Sequence, residues 1–239
     1  MSASRDGLLR VWDLHALSLV ATLAGHRDRV RALATCHPRT PYRVFSGSND
    51  HSVRVWDLLS IETSKTRRKQ VLSGHKHWVR ALACCSEGDK LCSAAKEVRV
   101  WDTSTLRLLY VLPVGDPIYS LAVCKVSVGV VECDTLYAGC SKGRILSWRL
   151  GRTATMCGEL RGHEGLVRAL AVNKAVLYSG AADGKLRAWD LQKSPTPSRQ
   201  MVGHSAGVRT LAADPISHYV FSASDDRCVI VWSEVPSQI

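Results

Sequence analysis

Tryptophan recurs along this chain at nearly constant intervals, and this period constrains the fold more than any other feature. Six of the seven tryptophans end short segments in which apolar and polar residues alternate, and they are separated by 44, 45, 47, 41 and 43 residues. They are Trp12, Trp56, Trp101, Trp148, Trp189 and Trp232. A repeat of roughly 40–45 residues is typical of four-stranded sheets that stack on one another to bury a shared core. The period therefore predicts an all-β fold.

The segments before these tryptophans are typical of β-strands. The clearest are LLRVW, SVRVW, EVRVW and KLRAW. They alternate with a period of two, and turn signals such as Asp6-Gly7 and Asp183-Gly184 precede them. No segment with a helical period competes.

Two dipeptides mark the repeats. Gly-His pairs occur at 25–26, 74–75, 162–163 and 203–204, and an Asp follows four of the tryptophans, at Asp13, Asp57, Asp102 and Asp190. Together with the period, these residues resemble the WD40 family over the whole chain. The resemblance implies a β-propeller whose blades each contain strands a, b, c and d, with strand a innermost.

The repeats predict a single propeller domain over residues 1–239. The expected units are a partial blade and five further blades, at 1–25, 26–74, 75–114, 115–162, 163–203 and 204–239. In this register the chain starts at the end of a strand b and stops after a strand c. We therefore expect part of a seven-bladed ring and the C-terminal part of a longer protein; a rearranged six-bladed ring is the alternative.

A Ser, a His, an Asp and a Trp recur in three of the repeats. The Ser lies ten residues and the Asp six residues before the Trp. The three sets are His26, Ser46, Asp50 and Trp56; His163, Ser179, Asp183 and Trp189; and His204, Ser222, Asp226 and Trp232. A catalytic triad needs an oxyanion hole and a pocket as well. In WD40 proteins such residues form a buried structural network, so we expect no catalytic residue and no enzyme.

Two repeats depart from this pattern. The repeat that ends at Trp101 keeps His75 but has a shortened turn without the Asp, and the repeat that ends at Trp148 has Asp116 and Lys142 where His and Asp belong. We expect these two repeats to be less stable than the others, or to use their turns for another purpose, while keeping the fold because the period and strand pattern persist.

An arginine recurs in a short apolar motif at the start of the repeats. The motif is VRALA at 30–34, 79–83 and 167–171, and VRTLA at 208–212. Alternation along a strand predicts that Val and the two Ala face one neighbour while Arg and Leu face the other. The resemblance places the residues three and five after the His around the opening of the central channel on the top face. These are Trp78 and the four arginines Arg31, Arg80, Arg168 and Arg209, with Tyr119 in the repeat that lacks the His.

This set of residues predicts a protein or peptide partner that binds over the channel. Arginine forks suit carboxylate and phosphate groups, so the partner segment is expected to be acidic or phosphorylated, with Trp78 and Tyr119 as apolar anchors. Two alternatives stay open for these residues. The arginines pair locally, with Glu164, Asp225 or Asp28, or Trp78 packs between blades.

Charge and cysteine content limit the other function classes. The net charge of +11 favours acidic partners and leaves a nucleic-acid-associated WD40 protein as the alternative function. No CxxC occurs among nine cysteines, so we expect no zinc site. We also expect no other cofactor and no small-molecule substrate. Several cysteines, among them Cys124 and Cys228, lie in apolar segments typical of buried reduced thiols. Without a signal peptide or a long apolar segment, these features predict a cytoplasmic, or nuclear, protein with no membrane partner.

Within WD40 proteins, the segments HKHWVRALA, GDPIYSLAV and FSASDDRCVIVWS are similar to the WD-repeat half of RING-containing, TRAF-type ubiquitin ligases. That resemblance implies a substrate-recruiting role, without the catalytic RING part. Two loops carry further hypotheses. SKTRRK (64–69) would be a localisation or nucleic-acid signal, and KSPTPSR (193–199) would hold phosphorylation sites at Ser194 and Thr196; plain solvated loops are the alternative for both.

Overall fold

The structure is a computed structural model that describes residues 1–36, 40–59, 70–128, 131–192, 197–214, 216–217 and 219–233. Every sheet in this part of the chain is antiparallel, and the described residues contain no α-helix. The predicted all-β fold is confirmed. Accordingly, no described helix is long and apolar enough to cross a membrane. The chain divides into two compact units, Met1–Pro117 and Ile118–Ile239.

The first unit contains three sheets in which strands that follow one another along the chain pair with each other. Sheet 1 consists of β1 (Ser2–Ala3), β2 (Leu9–Asp13) and β3 (Ser18–Leu23). Sheet 2 consists of β4 (Val30–Cys36), β5 (Thr40–Ser48), β6 (Val53–Asp57) and β7 (Gln70–Leu72). Sheet 3 consists of β8 (Ala81–Cys84), β9 (Lys90–Ala94), β10 (Glu97–Asp102) and β11 (Leu108–Pro113).

The second unit repeats this arrangement. Sheet 4 consists of β12 (Ile118–Val128), β13 (Val131–Cys140), β14 (Arg144–Leu150) and β15 (Ala154–Arg161). Sheet 5 consists of β16 (Val167–Asn173), β17 (Val176–Ala181), β18 (Lys185–Asp190) and β19 (Arg199–Val202). Sheet 6 consists of β20 (Val208–Ala213), β21 (Tyr219–Ser224) and β22 (Val229–Ser233).

The Val that opens the recurrent motif packs on a glycine of the preceding sheet. A Cβ at Gly47 would lie 2.7 Å from Val79 Cγ1, and one at Gly180 would lie 2.6 Å from Val208 Cγ1. Both valines are fully buried. These glycines therefore have a packing role, because only a residue without a side chain lets the next sheet approach this closely.

A β-bulge lies at the arginine of the motif and changes which side chains face which neighbour. In β4 the pairing with β5 shifts between Val30 and Ala32, so Arg31 is the extra residue, and the same shift occurs in β12, β16 and β20. Val30 and Leu33 consequently pack in one core cluster. The predicted strict alternation, with Val opposite Leu, is wrong because a bulge inserts one unpaired residue and resets the alternation beyond it.

The cysteines follow the sequence prediction only in part. Cys124 is buried, as predicted, but Cys228 is exposed in the turn before β22, the outer strand of sheet 6. Cys36 and Cys84, at the ends of β4 and β8, are joined by a disulfide. The Cα atoms of this pair lie 5.3 Å apart, within the range for a disulfide, so the expectation of reduced thiols does not extend to these two cysteines.

Candidate functional site

The structure brings the recurrent Ser, His, Asp and Trp side chains into hydrogen-bonding contact. In sheet 2, Trp56 Nε1 lies 2.7 Å from Ser46 Oγ, which lies 2.6 Å from His26 Nε2. His26 Nδ1 lies 2.8 Å from Asp50 Oδ2. In sheets 5 and 6 the corresponding distances lie between 2.7 and 2.9 Å; the residues are Trp189, Ser179, His163 and Asp183, and Trp232, Ser222, His204 and Asp226.

In each set, the hydrogen bonds all run in one direction, from the Trp through the Ser and the His to the Asp. The carboxylate of Asp50 can only accept, so His26 Nδ1 donates to it and His26 Nε2 accepts from Ser46 Oγ, which in turn accepts from Trp56 Nε1. Burial raises the pKa of Asp50, but hydrogen bonds from Ser52, the Arg27 backbone and His26 outweigh it and lower the pKa to about 2. The carboxylate therefore stays ionised and fastens the turn that contains it to the start of the sheet.

The distances between Ser, His and Asp in these sets resemble those of a catalytic triad, but a substrate cannot reach the serine hydroxyl. Ser46, Ser179 and Ser222 are at most 1% exposed, and the Trp indole occupies the serine oxygen that would have to attack a substrate. A nucleophile has to reach the reacting atom of a bound substrate. The geometry of the three sets therefore supports a structural role.

Sheet 3 contains a shortened version of this network that the sequence pattern does not reveal. Ser93, only eight residues before Trp101, lies 2.8 Å from Trp101 Nε1 and 2.7 Å from His75 Nε2. Glu97 stands in for the missing Asp, but its carboxylate is 3.9 Å from His75 Nδ1, and no described residue forms a hydrogen bond with that atom. Burial, followed by the charge of Arg99, lowers the pKa of His75 to about 4.

Sheet 4 replaces the network with other contacts. Ala138, which is buried, lies ten residues before Trp148, where other repeats have Ser. The hydroxyl of Ser120 donates instead to the Val167 backbone oxygen at 3.0 Å and so ties sheet 4 to sheet 5. The lower stability expected of sheets 3 and 4 stays a prediction.

In the first unit, two of the recurrent arginines lie against Trp78. The guanidinium carbon of Arg80 is 5.0 Å from the centre of the Trp78 ring, and that of Arg31 is 5.7 Å away. Trp78 is 43% exposed, so much of its surface is open to solvent beside the two arginines. Arg31 Nε also donates to Asn49 Oδ1 at 2.9 Å. Burial, and then the charges of Arg29 and Arg80, lower the pKa of Arg31. We call Arg31, Trp78 and Arg80 the Trp78 surface.

In the second unit, the other two arginines share one carboxylate. Arg209 Nε lies 2.6 Å from Asp225 Oδ1, and one terminal guanidinium nitrogen of Arg168 lies 3.2 Å from Asp225 Oδ2. The hydrogen bond from Arg209 lowers the pKa of Asp225, and the charges of both arginines contribute although desolvation opposes them. This pair therefore carries its own counterion, as the local-pairing alternative anticipated for Asp225.

Tyr119 occupies the corresponding bulge in β12 and is partly buried. The structure brings five of the six predicted partner-binding residues together in two groups, each within its own unit. One group is the Trp78 surface. The other consists of Arg168 and Arg209, which we call the Asp225 pair. SKTRRK and the phosphorylation sites proposed at Ser194 and Thr196 lie outside the described residues. Glu164, which the local-pairing alternative offered as a partner for an arginine, lies 3.9 Å from Lys185 instead.

Comparison with known proteins identifies the repeats. A family model described as WD domain, G-beta repeat matches residues 17–57, 66–102, 154–190 and 195–233, which together make up more than half of the chain. Residues 103–153, between the second and third matches, contain the repeat in which Gly-His is absent.

Several curated proteins are similar to part of the chain. The chain is 34% identical over 106 residues to WD repeat and SOCS box-containing protein 1 of Danio rerio, covering 44% of the chain and 24% of that protein. It is 40% identical over 91 residues to the small ribosomal subunit protein RACK1 of Neurospora crassa, covering 37% and 28%. Nuclear distribution protein nudF of Aspergillus flavus is 31% identical over 106 residues, covering 44% and 22%. The chain thus spans about a quarter of the length of these relatives.

Proposed function

The chain belongs to the WD40 family of WD domain, G-beta repeat proteins, and on that premise we propose that it is a non-catalytic scaffold that binds a segment of a protein partner on the Trp78 surface. The family match confirms the predicted WD40 β-propeller fold class. WD repeat proteins generally act as protein-interaction scaffolds, and this general role is the starting point for the chain.

One observation carries the finer proposal. Trp78 is a large aromatic residue that takes no part in the Ser, His, Asp and Trp hydrogen-bond networks of the described sheets. It is exposed, and two guanidinium groups lie over its ring. Trp and Arg are the residues most often found where protein interfaces concentrate their binding energy. Stacking also restricts the arginine side chains before a partner arrives, which lowers the entropy lost on binding.

The proposal includes recruitment of a substrate for a ubiquitin ligase assembly. It is supported by the relatives whose names combine WD repeats with a SOCS box, and by the resemblance to TRAF-type ligases, which these relatives do not single out. The matches cover less than a third of each relative, so the role in a ligase assembly is proposed for this chain and is not transferred from the relatives.

The test is a site-specific crosslinking experiment in cells. A photoreactive amino acid replaces Arg29, a residue near Arg31 of the Trp78 surface, and the crosslinked proteins are identified by mass spectrometry with and without Trp78→Ala. We expect a defined set of proteins that Trp78→Ala reduces at least tenfold. Arg168→Ala, on the other unit, is the matched control and should leave the set unchanged.

Two outcomes contradict the proposal. The first is a crosslinked set that is the same with and without Trp78→Ala while circular dichroism shows both chains folded. The second is crosslinking to RNA or DNA that is lost gradually as lysines and arginines are removed anywhere on the surface, with a steep dependence on salt. That result would favour the nucleic-acid alternative instead.

A further inference from the structure

A small basic pocket lies next to Trp78 in the first unit. Its volume is about 270 Å³. The residues that line it are His51, Lys76, His77, Trp78, Arg80, Lys96 and Pro117. It is slightly smaller than the roughly 300–1,000 Å³ of pockets that hold whole small molecules, so its size suits the end of one side chain.

The pocket concentrates positive charge. Three of its residues are cations at neutral pH, two more are imidazoles, and none of the described residues that line it carries a carboxylate. Within the described part of the chain, no carboxylate lies within ion-pair distance of Lys76 or Lys96, whereas Lys90 and Lys185 each have one. The charge of Arg80 also contributes to the lowered pKa of Arg31, the other arginine that lies over the Trp78 ring. An anion bound here would relieve this crowding.

The number and type of donors favour a phosphate over a carboxylate. A phosphorylated side chain carries a charge of about −1.5 to −2 and three acceptor oxygens at neutral pH, whereas a carboxylate carries one charge and two oxygens. Arg80 provides a planar fork, and Lys76 and Lys96 provide point charges from two different loops. Trp78 and Pro117 form an apolar wall that can pack on the carbon atoms beside the phosphate.

His51 contributes its side chain to the pocket from a backbone conformation that glycine adopts more easily. It lies in the turn between β5 and β6 with φ of 68°, a left-handed conformation that disfavours residues with a side chain. Glycine occupies the same turn position in three other sheets, as Gly7, Gly143 and Gly184, with φ of 70–78°. Here the side chain that causes the strain lines the pocket.

We propose that this pocket binds the phosphate group of a phosphorylated side chain on the protein partner. The inference rests on the proposed function, because it assigns a chemical class to the segment that the Trp78 surface holds. The phosphate would sit among Arg80, Lys76 and Lys96, with His51 as a further hydrogen-bond donor, while the peptide beside it packs on Trp78.

The test compares three peptide libraries that have randomised flanks and differ only at one fixed central residue, phosphoserine, serine or glutamate. Affinities for the purified chain are measured by fluorescence anisotropy at fixed salt. We expect the phosphoserine library to bind at least tenfold more tightly than the other two. Lys96→Gln should remove about tenfold of this affinity, since one charge-assisted contact is lost.

His51→Gly separates binding from stability. It should raise the melting temperature by roughly 2–4 °C, because glycine adopts the left-handed conformation without strain, yet weaken phosphoserine binding about threefold. Arg227→Gly is the matched control, since Arg227 holds the same turn position in sheet 6 with φ of 67°. It should also raise the melting temperature but leave binding unchanged.

Each other result overturns the inference. Equal affinity for glutamate and phosphoserine would show a carboxylate site, and wild-type affinity in both Lys96→Gln and His51→Gly would show that the phosphate binds elsewhere. Binding to vesicles that contain phosphatidylinositol phosphates, without binding to the phosphoserine library, would show a lipid site. If Trp78-dependent crosslinking persists after phosphatase treatment of the partners, the phosphate inference fails while the proposed function stands. If Trp78→Ala leaves crosslinking unchanged, the proposed function itself fails.

Discussion

The two units place the same recurrent arginine in different electrostatic surroundings. Arg31 in the first unit and Arg209 in the second each donate through Nε to the residue seven positions before the repeat's Trp. That residue is the neutral amide Asn49 in one case and the carboxylate Asp225 in the other. Asp225 also binds Arg168, so the second unit balances its two arginines, while the first places its arginines on an aromatic ring. One amide in place of one carboxylate thus gives Arg31 a neutral hydrogen-bond acceptor where Arg209 has a charged one.

The hydrogen-bond networks of the sheets that carry these arginines also differ between the two units. Sheets 5 and 6, under the Asp225 pair, have complete networks in which His163 and His204 each donate to an Asp. Sheet 3, which carries Trp78 and Arg80 in the loop before β8, has His75 with only one hydrogen bond among the described residues. The first unit therefore combines arginines that lie over an aromatic ring with a less complete hydrogen-bond network.

The largest expected difference concerns the histidines of the two networks. His163→Ala should lower the free energy of unfolding by about 4 kcal/mol, because it leaves the buried Ser179 hydroxyl and the Asp183 carboxylate short of partners. His75→Ala should cost about 2 kcal/mol, since only Ser93 loses a partner. Urea unfolding followed by tryptophan fluorescence measures both. Equal losses would show that the Asp contributes little to the network.

A second difference should appear on acidification. The folded pKa of His75, about 4, lies below the value of about 6.5 in the unfolded chain, so the unfolded state binds the extra proton between these values. The stability from neutral His75 is complete above pH 6.5 and is lost as pH falls to 4, by about 3 kcal/mol. His75→Gln should flatten this pH dependence by one proton. An unchanged slope in the variant would contradict the prediction.

Replacing the amide of the first unit with a carboxylate, as in the second unit, tests whether this residue accounts for the difference between the two units. Asn49→Asp should supply the first unit with a counterion for Arg31 and weaken phosphoserine-library binding about threefold. The free energy of unfolding should change by less than about 1 kcal/mol, as is usual for pairs near the surface. Anisotropy titrations at two salt concentrations measure the effect. Unchanged affinity would mean that the charge of Arg31 does not reach the pocket.

The smallest expected effect is that of Asp225→Asn, which removes the counterion shared by Arg168 and Arg209. The variant should become slightly more stable when phosphate is added, with a rise in melting temperature of about 1–2 °C beyond that of the unchanged chain. Potassium chloride at equal ionic strength is the control. If both salts act equally on both chains, the two arginines do not need a counterion.

Much of the fold follows from local sequence features. The Trp period and the Gly-His pairs predict an all-β repeat fold, because strand alternation and turn residues act over a few positions. The spacings of ten and six residues before Trp56, Trp189 and Trp232 identify side chains that the structure places within hydrogen-bonding distance. The same rule misses Ser93, since the shortened turn of sheet 3 moves it to eight residues before Trp101.

The sequence by itself determined the repeat, the positions of the buried networks and the recurrence of an arginine at one place in the repeat. The tertiary structure decided what that arginine does. The bulge turns it out of the strand alternation, and its partner comes from a residue distant in sequence: Trp78 for Arg31 or Asp225, 57 residues away, for Arg168. Short-range spacing shapes a strand, but the charge balance at a surface depends on which side chains the folded sheets bring together.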